Sequence, residues 1–273
     1  MLCIYHSADL DGHCSGAIVK CNYPKCKLYG VDYGQKIPWE LISEHDKIFL
    51  VDFSFEYNDM VKLINNYNII WIDHHKSAIE SMSCHQVFGN QEVGRGACEL
   101  TWEYIFPEKK IPLAVKFLSQ YDVWNHSDER TLPFQYGMRI LDTYPNNQEL
   151  WQSLFRVYNN GLTYDIIDQG ETVLLYIEKE NKILSKQSFK LEFEGYKCIA
   201  VNKSGNSKMF DFVKDIDKYD IKLTFMYKYN SWTIIMYTSQ DNVDVSKIAL
   251  KYGGGGHKQA AGFQINKLPF SLK

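Results

Sequence analysis

The sequence predicts an α/β protein of two domains, the first built on a doubly wound parallel sheet. From residue 2 to residue 75, short apolar runs alternate with helical segments at the spacing of parallel βαβ units. Several of these runs end directly on an ionisable residue, as strands do at the ligand crevice of an open α/β sheet. After Gly195 the pattern changes to successive strands with a hairpin turn, which indicates a second, smaller α/β domain.

The elements follow one another along the chain. In the first domain, strands are predicted at residues 2–5, 27–33, 46–52 and 68–73, and helices at 15–20, 60–66, 94–105 and 112–121. Pro112 suits the first turn of its helix, where an N–H is not needed. Residues 148–190 are mostly helical by pattern; strands follow at 196–201, 221–227 and 231–237, and a helix at 245–252. These assignments give a first domain at 1–147, a helical linker at 148–190 and a second domain at 191–273.

The composition limits the class of protein. Of the 273 residues, 45% are hydrophobic and 23% are charged, which is typical of a soluble globular protein. The net charge of −3 gives no general basic field, so we expect no binding of long duplex DNA. Seven cysteines without scaffold spacing, no signal peptide and no run of ~20 apolar residues predict a cytoplasmic protein that does not enter a membrane.

Ionisable residues follow three of the predicted strands. His6, Asp52 and Asp73 each stand where a buried strand ends. Because parallel strands end along one edge of a sheet, we expect these side chains to share one crevice. His74 and His75 follow Asp73 directly, and adjacent imidazoles are costly to bury without a partner, most commonly a metal ion.

A second pattern near the N-terminus is His6-x-x-Asp9-x-Asp11-Gly12. Alone, it equally fits a helix cap beside a hydrogen-bonded histidine. Together with Asp52, His74 and Asp122 it favours a metal site. Carboxylates and imidazoles without thiolates suit Mn²⁺ or Mg²⁺, and the ligands are too numerous for one ion. Two ions ~3.5–4 Å apart are the arrangement suited to phosphoryl displacement.

A glycine run near the C-terminus is a candidate phosphate site. Gly253 to Gly256 would expose backbone N–H groups, and a helix starting at His257 would add its dipole. The alternative is a flexible loop, which is disfavoured by the small residues Ala260-Ala-Gly262 that indicate tight packing.

Five motifs in this order resemble those of the DHH phosphoesterase superfamily. They are His6-x-x-Asp9-x-Asp11-Gly12, Val51-Asp52, Asp73-His74-His75, Tyr121-Asp122 and Gly253-Gly-Gly-Gly-His-Lys-Gln-Ala-Ala-Gly262. The last is similar to the signature of the DHH-associated C-terminal domain, and the match spans nearly the whole chain. In length the chain is most similar to the nanoRNase and oligoribonuclease-type phosphodiesterases.

The resemblance implies a centre of two metal ions, most simply Mn²⁺ with Mg²⁺ or Co²⁺ as alternatives, held by His6, Asp9, Asp11, Asp52, His74 and Asp122. Asp52 would bridge the ions, Asp73 would orient a ligand histidine, and His75 would contact the scissile phosphate, so these three are the catalytic candidates. The C-terminal domain would roof the cleft and hold the nucleotide through Gly254, Gly255, Gly256 and His257. Arg95 is a further candidate for a phosphate contact, beside the alternative of a surface arginine.

One segment departs from the family pattern. Members often carry an arginine in the strand before the glycine motif, whereas this chain reads Ile235-Met-Tyr-Thr-Ser239. The lysines that could replace it are Lys228, Lys247, Lys251 and Lys258.

These features predict a manganese-dependent phosphodiesterase that hydrolyses short RNA oligonucleotides or linear dinucleotides to mononucleotides, by attack of a hydroxide activated between two metal ions. The alternatives within the enzyme class are a cyclic-dinucleotide phosphodiesterase and a 3′-phosphoadenosine 5′-phosphate phosphatase. The alternative outside it is a nucleotide-binding sensor. The sequence is compatible with a monomer and with a homodimer.

Overall fold

The structure of the protein is a computed structural model that describes residues 1–158 and 161–271. It divides into two compact units, Met1–Leu174 and Leu175–Lys273, and the division falls within the segment assigned from the sequence to a helical linker. A parallel sheet in the first unit and a second sheet in the other confirm the predicted fold class. Within the described ranges, none of the helices has both the length and the apolar character needed to cross a membrane.

The first unit has five strands among its described residues: β1 (Leu2–His6), β2 (Lys27–Val31), β3 (Ile48–Val51), β4 (Ile69–Asp73) and β5 (Gly89–Gln91). Its helices are α1 (Leu10–Asn22), α2 (Trp39–Ser43), α3 (Tyr57–Asn66), α4 (Lys76–Ser81), α5 (Ala97–Ile105), α6 (Leu113–Asp122), α7 (Thr131–Met138) and α8 (Gln148–Leu154). The helix α9 (Gly161–Gln187) contains the division between the units.

The strands of the first unit form a sheet in the order β2-β1-β3-β4-β5, and all neighbouring pairs are parallel. Both of its faces are covered. Leu2 and Ile4 of β1 pack on the side of α2 and α3, whereas Cys3 and Tyr5 pack on the side of α1 and α5. This double covering explains why β1, β3 and β4 read as continuous apolar runs in the sequence.

Strand β5 was not predicted. It has only three residues, Gly-Asn-Gln, which do not form an apolar run. Gly89 has a φ of +132°, and a Cβ at this position would lie 1.8 Å from the carbonyl oxygen of Trp71 in β4. Glycine is therefore what allows β5 to pair with β4.

The second unit contains β6 (Phe189–Phe193), β7 (Tyr196–Val201), β8 (Ile221–Lys228), β9 (Ser231–Tyr237), α10 (Val245–Lys251), β10 (Gly255–His257) and β11 (Ala260–Ile265). The sheet has the order β10-β11-β9-β8-β7-β6, with β7 and β8 parallel and the other pairs antiparallel. Tyr229 and Asn230 have φ values of 50° and 71°, so the predicted hairpin turn between β8 and β9 is confirmed. Helix α10 packs on the sheet through Ile248 and Ala249.

Candidate metal centre

Ionisable side chains stand at the carboxyl ends of three neighbouring strands. His6 is the last residue of β1, Asp52 directly follows β3, and Asp73 is the last residue of β4. All three are buried. Because β1, β3 and β4 are adjacent and parallel, their ends deliver these side chains to one edge of the sheet.

The backbone of Asp52 is left-handed, with a φ of 56°. Such a conformation costs about 1–3 kcal/mol in a residue other than glycine and persists mainly at functional sites. The N–H of Asp52 still donates to the carbonyl oxygen of Ile72 at 2.9 Å, so the sheet ladder continues up to this residue. The chain then turns and holds the carboxylate, 1% exposed, between His6 and His74.

A first group of potential ligands consists of His6, Asp9 and Asp52. Nδ1 of His6 lies 2.9 Å from Oδ2 of Asp9 and 3.5 Å from Oδ2 of Asp52. One donor atom from each residue lies within 4.8 Å of the others, a spacing that can hold a metal ion.

A second group consists of Asp11, His74 and Asp122. Nε2 of His74 lies 3.1 Å from Oδ2 of Asp122 and 3.7 Å from Oδ2 of Asp11. The donor atoms again lie within 4.8 Å of one another. Nε2 of His74 is also 3.3 Å from Oδ1 of Asp52, so the two oxygens of Asp52 face the two groups.

The donor atoms of His6 and His74 lie 3.5 and 3.3 Å from those of Asp52, close enough for charge interaction but outside hydrogen-bond geometry. Despite the short separations, both oxygens of Asp52, both ring nitrogens of His6 and Nε2 of His74 lack a hydrogen-bond partner in the described parts of the chain. Buried polar atoms without a partner are costly, and a cation at their meeting point would satisfy them. Carboxylates and imidazoles without a thiolate also suit Mn²⁺ or Mg²⁺. The residues therefore fit bound divalent metal.

Within the two groups, the histidines and carboxylates shift one another's pKa values. Burial lowers the pKa of His6, but the carboxylates of Asp52 and Asp9 outweigh this effect and raise it to about 10. Burial likewise lowers the pKa of His74, and Asp122 with Asp52 raises it to about 11. Burial raises the pKa of Asp52 itself. Without metal, the two imidazolium ions thus take the place of cations among the carboxylates.

Asp9 combines the two roles that the sequence left open. It is the N-cap of α1, because its Oδ1 accepts a hydrogen bond from the N–H of Gly12 at 2.9 Å, while its Oδ2 faces His6. The helix begins at Leu10 rather than at residue 15. Gly12 lies within this helix, where a Cβ would stand 2.1 Å from the carbonyl oxygen of His6.

Asp11 also has a structural partner. Its two carboxylate oxygens accept hydrogen bonds from the N–H groups of Ala97 and Cys98, at 2.7 and 2.8 Å, and so cap α5. Burial, followed by the carboxylates of Asp52 and Asp122, raises its pKa well above the usual range. One carboxylate thus joins the first turn of α5 to the metal centre.

Asp73 contacts a different histidine from the one expected. Its Oδ1 lies 2.7 Å from Nδ1 of His75 and accepts the N–H groups of His74 and His75 at 2.7 and 3.2 Å. The ring of His74 instead faces Asp122 and Asp52, while His75 forms a third group of potential ligands with Asp52 and His74. The carboxylate orients His75 and raises its pKa.

The structure gives no support to a phosphate contact by Arg95. Its guanidinium lies 2.9 Å from Glu99 and 2.7 Å from Glu103, with Glu92 at 3.5 Å. Three carboxylates already surround the side chain, and a phosphate would have to displace them. The alternative, an arginine held in ion pairs at the surface, agrees with this geometry.

The glycine run lies in the second unit and forms no helix. Gly255 to His257 make up β10, an edge strand paired with β11, so the expectation that a helix starts at His257 is wrong. Small residues are required here for close packing: a Cβ at Gly254 would lie 2.1 Å from the carbonyl oxygen of Gly262, and one at Gly256 would lie 2.6 Å from that of Ala260. Gly255 and His257 are exposed.

The lysines that could replace the family arginine differ in their contacts. Lys251 lies 2.6 Å from Glu194, and Lys247 lies 3.8 Å from Asp244. Lys228 stands over the ring of Tyr229 at 5.0 Å. For Lys258, no ion pair is formed with any residue that the structure describes. Lys258, next to the glycine run, is thus the substitute with the fewest competing contacts.

Three residues that the sequence reading did not select surround His6. Asp32 follows β2 at the same sheet edge and lies 3.5 Å from Nε2 of His6. The rings of Tyr33 and Phe53 lie 5.4 and 5.8 Å from that of His6. Asp32 could have been found, because it follows a strand just as Asp52 does; the aromatic residues gave no comparable signal.

Solved structures share this arrangement of elements. A DHH domain from a member of a ribosomal protein family aligns with a TM-score of 0.57 and 13% identity, over 96% of this chain and 81% of that one. The pGpG-specific phosphodiesterase PggH from Vibrio cholerae aligns with a TM-score of 0.53 and 13% identity, over 97% of this chain and 92% of that one. This chain therefore has the same fold as that DHH domain.

Two further proteins are similar to this chain. The exonuclease RecJ bound to manganese aligns with a TM-score of 0.50 and 15% identity, over 97% of this chain and 85% of that one. An uncharacterized protein of Acanthamoeba polyphaga mimivirus is 28% identical over 297 residues, covering 96% of this chain and 67% of that protein. No family model matches the sequence.

Proposed function

We propose that this protein is a manganese-dependent phosphodiesterase that hydrolyses short RNA oligonucleotides or linear dinucleotides to mononucleotides. The observation that carries the proposal is the position of Asp52, whose two oxygens face two separate groups of ligands. The ions would be held by His6, Asp9, Asp11, Asp52, His74 and Asp122. When bound, two divalent ions would activate water at neutral pH and neutralise charge on the phosphate oxygens.

His75 is the residue that we place at the scissile phosphate. A ring nitrogen of His75 lies within 4.8 Å of donor atoms of Asp52 and His74. Asp73 contacts Nδ1 and raises the pKa of the ring, so a protonated His75 would donate a hydrogen bond from Nε2 to a non-bridging phosphate oxygen. In the reaction, a water oxygen loses a proton and adds to phosphorus. The bond from phosphorus to the leaving ribose oxygen breaks, and the ribose oxygen takes up a proton, so that one water is consumed.

Two observations favour short substrates. The net charge of −3 provides no extended basic track for a long strand. The fold is shared with a phosphodiesterase specific for pGpG, a linear dinucleotide, and we extend that class of substrate to this chain. We further propose that Gly254, Gly255, Gly256 and His257 bind the substrate with Lys258, and that the protein acts in the cytoplasm.

The test is a panel of substrates with the full-length protein and Mn²⁺. The panel compares linear and cyclic dinucleotides, 2- to 10-mers and 3′-phosphoadenosine 5′-phosphate by kcat/KM. The proposal expects the highest kcat/KM for linear dinucleotides or the shortest oligomers, with mononucleotides as products. A preference for the cyclic dinucleotide or for phosphoadenosine phosphate would establish that alternative instead.

Metal content separates an enzyme from a nucleotide-binding sensor. We expect about two Mn²⁺ per chain after reconstitution and dialysis. Asp52→Asn should lose metal and lower kcat/KM by at least about 100-fold, because each tenfold loss corresponds to about 1.4 kcal/mol of the several that two ions supply. An Asp52→Asn protein with full activity would contradict the proposal, and nucleotide binding without metal or turnover would support the sensor.

A further inference from the structure

A cavity of about 460 Å³ lies beside the metal centre in the first unit. One side is formed by residues 33–39, which follow β2, and the other by residues 53–59, which follow β3. This volume is in the range of cavities that hold small organic groups. The metal ligands themselves do not line it, so it is an additional site at the same sheet edge.

Aromatic rings form much of the cavity wall. The rings of Tyr33 and Phe53 are 4.8 Å apart, and those of Phe53 and Phe55 are 5.1 Å apart. Trp39 is fixed from outside the cavity by the ring of Tyr67. Tyr33 is 55% exposed, so part of a large ring is available to a ligand. Flat rings held in place are suited to stacking against another planar group.

The same rings connect the cavity to the metal centre. Tyr33 lies 5.4 Å from the ring of His6 and 6.2 Å from that of His75. Phe53 lies 5.8 Å from the ring of His6. A planar group in the cavity would therefore be a neighbour of a phosphate bound by His75 and the ions.

The polar groups of the cavity do not suit a phosphate. Among the described residues that line it are two with carboxylates, Glu56 and Asp59, and one with a cation, Lys36. Among residues 1–158 and 161–271, the side chains of Ser54, Glu56 and Asp59 form no hydrogen bond or ion pair with a partner. Carboxylates accept hydrogen bonds from amino groups, which guanine, adenine and cytosine present and uracil lacks.

We propose that this cavity binds a nucleobase of the substrate, stacked on its aromatic wall, and that its carboxylates favour bases with an exocyclic amino group. This inference rests on the proposed phosphodiesterase function. It assigns specificity to the segments after β2 and β3, while the metal ligands and His75 act on the phosphate.

The test compares a 5′-phosphorylated adenine dinucleotide with the same dinucleotide in which both bases are replaced by hydrogen. The assay uses the protein loaded with Mn²⁺. The variant is Phe55→Leu, which keeps an apolar side chain but removes the ring. We expect it to lower kcat/KM for the adenine dinucleotide by about tenfold, mainly through KM, because base stacking contributes to binding on this scale. Activity on the base-free dinucleotide should stay within twofold. The matched control is Phe88→Leu, an exposed phenylalanine outside the cavity, which should change neither value.

The carboxylates are tested by the paired substitution Glu56→Gln with Asp59→Asn. The wild-type protein should cleave the adenine dinucleotide at least about fivefold better than the uracil dinucleotide, and the double variant should lose this preference. Circular dichroism would check that Phe55→Leu and the double variant are folded. An unchanged ratio of adenine to base-free activity in Phe55→Leu, or no preference over uracil in the wild type, would overturn the inference. Wild-type protein that cleaves neither dinucleotide would instead refute the proposed function.

A binding measurement tests the cavity without turnover. Adenosine, which has no phosphate, should quench the fluorescence of Trp39 in the Mn²⁺-loaded protein. The quenching should weaken in Phe55→Leu and disappear in Trp39→Phe. Equal quenching in Trp39→Phe and the wild type would place the nucleoside elsewhere and overturn the inference.

Discussion

Replacement of Asp73 by asparagine should separate catalysis from metal binding. Asp73 is fully buried and holds Nδ1 of His75 at 2.7 Å. Asparagine has nearly the same shape and can still accept the N–H groups of His74 and His75, but it removes the negative charge. A hydrogen bond to a charged group contributes about 1.5–3 kcal/mol, whereas a neutral one contributes about 0.5–1.5 kcal/mol. The loss of about 1–1.5 kcal/mol predicts a roughly tenfold lower kcat/KM.

The assay measures kcat/KM on a linear dinucleotide and the Mn²⁺ content of the same samples. Asp73→Asn should retain its metal, because the ring of His74 faces Asp122 and Asp52 rather than Asp73. His75→Ala should also retain metal while losing turnover, and His74→Ala should lose metal. In the His75→Ala background, Asp73→Asn should have little further effect, because the two residues act as a unit.

Two results would refute this reasoning. Metal loss in Asp73→Asn comparable to that in His74→Ala would mean that Asp73 supports the metal centre. Additive effects of Asp73→Asn and His75→Ala would mean that Asp73 acts through some residue other than His75.

Three further predictions follow from the same region. Gly96→Ala should lower the free energy of unfolding by about 1–3 kcal/mol, measured by urea denaturation, because the new Cβ would lie 2.6 Å from Cα of Ser119; an unchanged midpoint would contradict this packing. Binding of Mn²⁺ at pH 7 should release about two protons, because the pKa values of His6 and His74 are raised to about 10 and 11 without metal. Calorimetry in buffers of different ionisation enthalpy would measure this release. Binding without proton release would mean that both rings are already neutral. Arg95→Gln should lower Tm by a few degrees and leave KM within twofold, because the guanidinium pairs with carboxylates; a large rise in KM would restore its phosphate role.

The raised pKa of His6 also makes the stability of the metal-free protein depend on pH. The pKa of His6 is 6.5 in an unfolded chain and about 10 in the folded one. A raised histidine pKa stabilises the fold fully below the unfolded value, and this contribution is lost as pH rises through the folded value. Tm of the metal-free protein should therefore fall between about pH 7 and pH 10, and Mn²⁺ should reduce this slope.

Much of the fold is predictable because its physical causes lie in local sequence. Strands β1, β3 and β4 are buried on both faces, so they read as continuous apolar runs, and each ends on or beside an ionisable residue. Strands β5 and β10 are not predictable in this way. Each has only three residues and contains glycine, and each is defined by pairing with a partner strand rather than by its own pattern.

The candidate site is likewise predictable from the sequence only in part. The shared sheet edge brings His6, Asp52 and Asp73 together, which the strand ends predict. Which histidine Asp73 orients depends on side-chain rotation just after the strand, and no periodicity specifies that. The partners of Arg95 were visible in principle, because Glu99 stands four residues after it and can pair with it along a helix. The prediction of a phosphate contact came from the glycines on either side of Arg95.

The hydrogen bonds from α5 to Asp11 set an order for metal release. Both oxygens of Asp11 already face N–H groups at the positive end of a helix, so part of their negative charge is neutralised before any ion arrives. An ion at Asp11, His74 and Asp122 would therefore meet a weaker ligand than one at His6, Asp9 and Asp52. During stepwise chelation we expect the Asp11 ion to leave first. Because α5 stays capped, the emptied protein should remain folded and accept metal again.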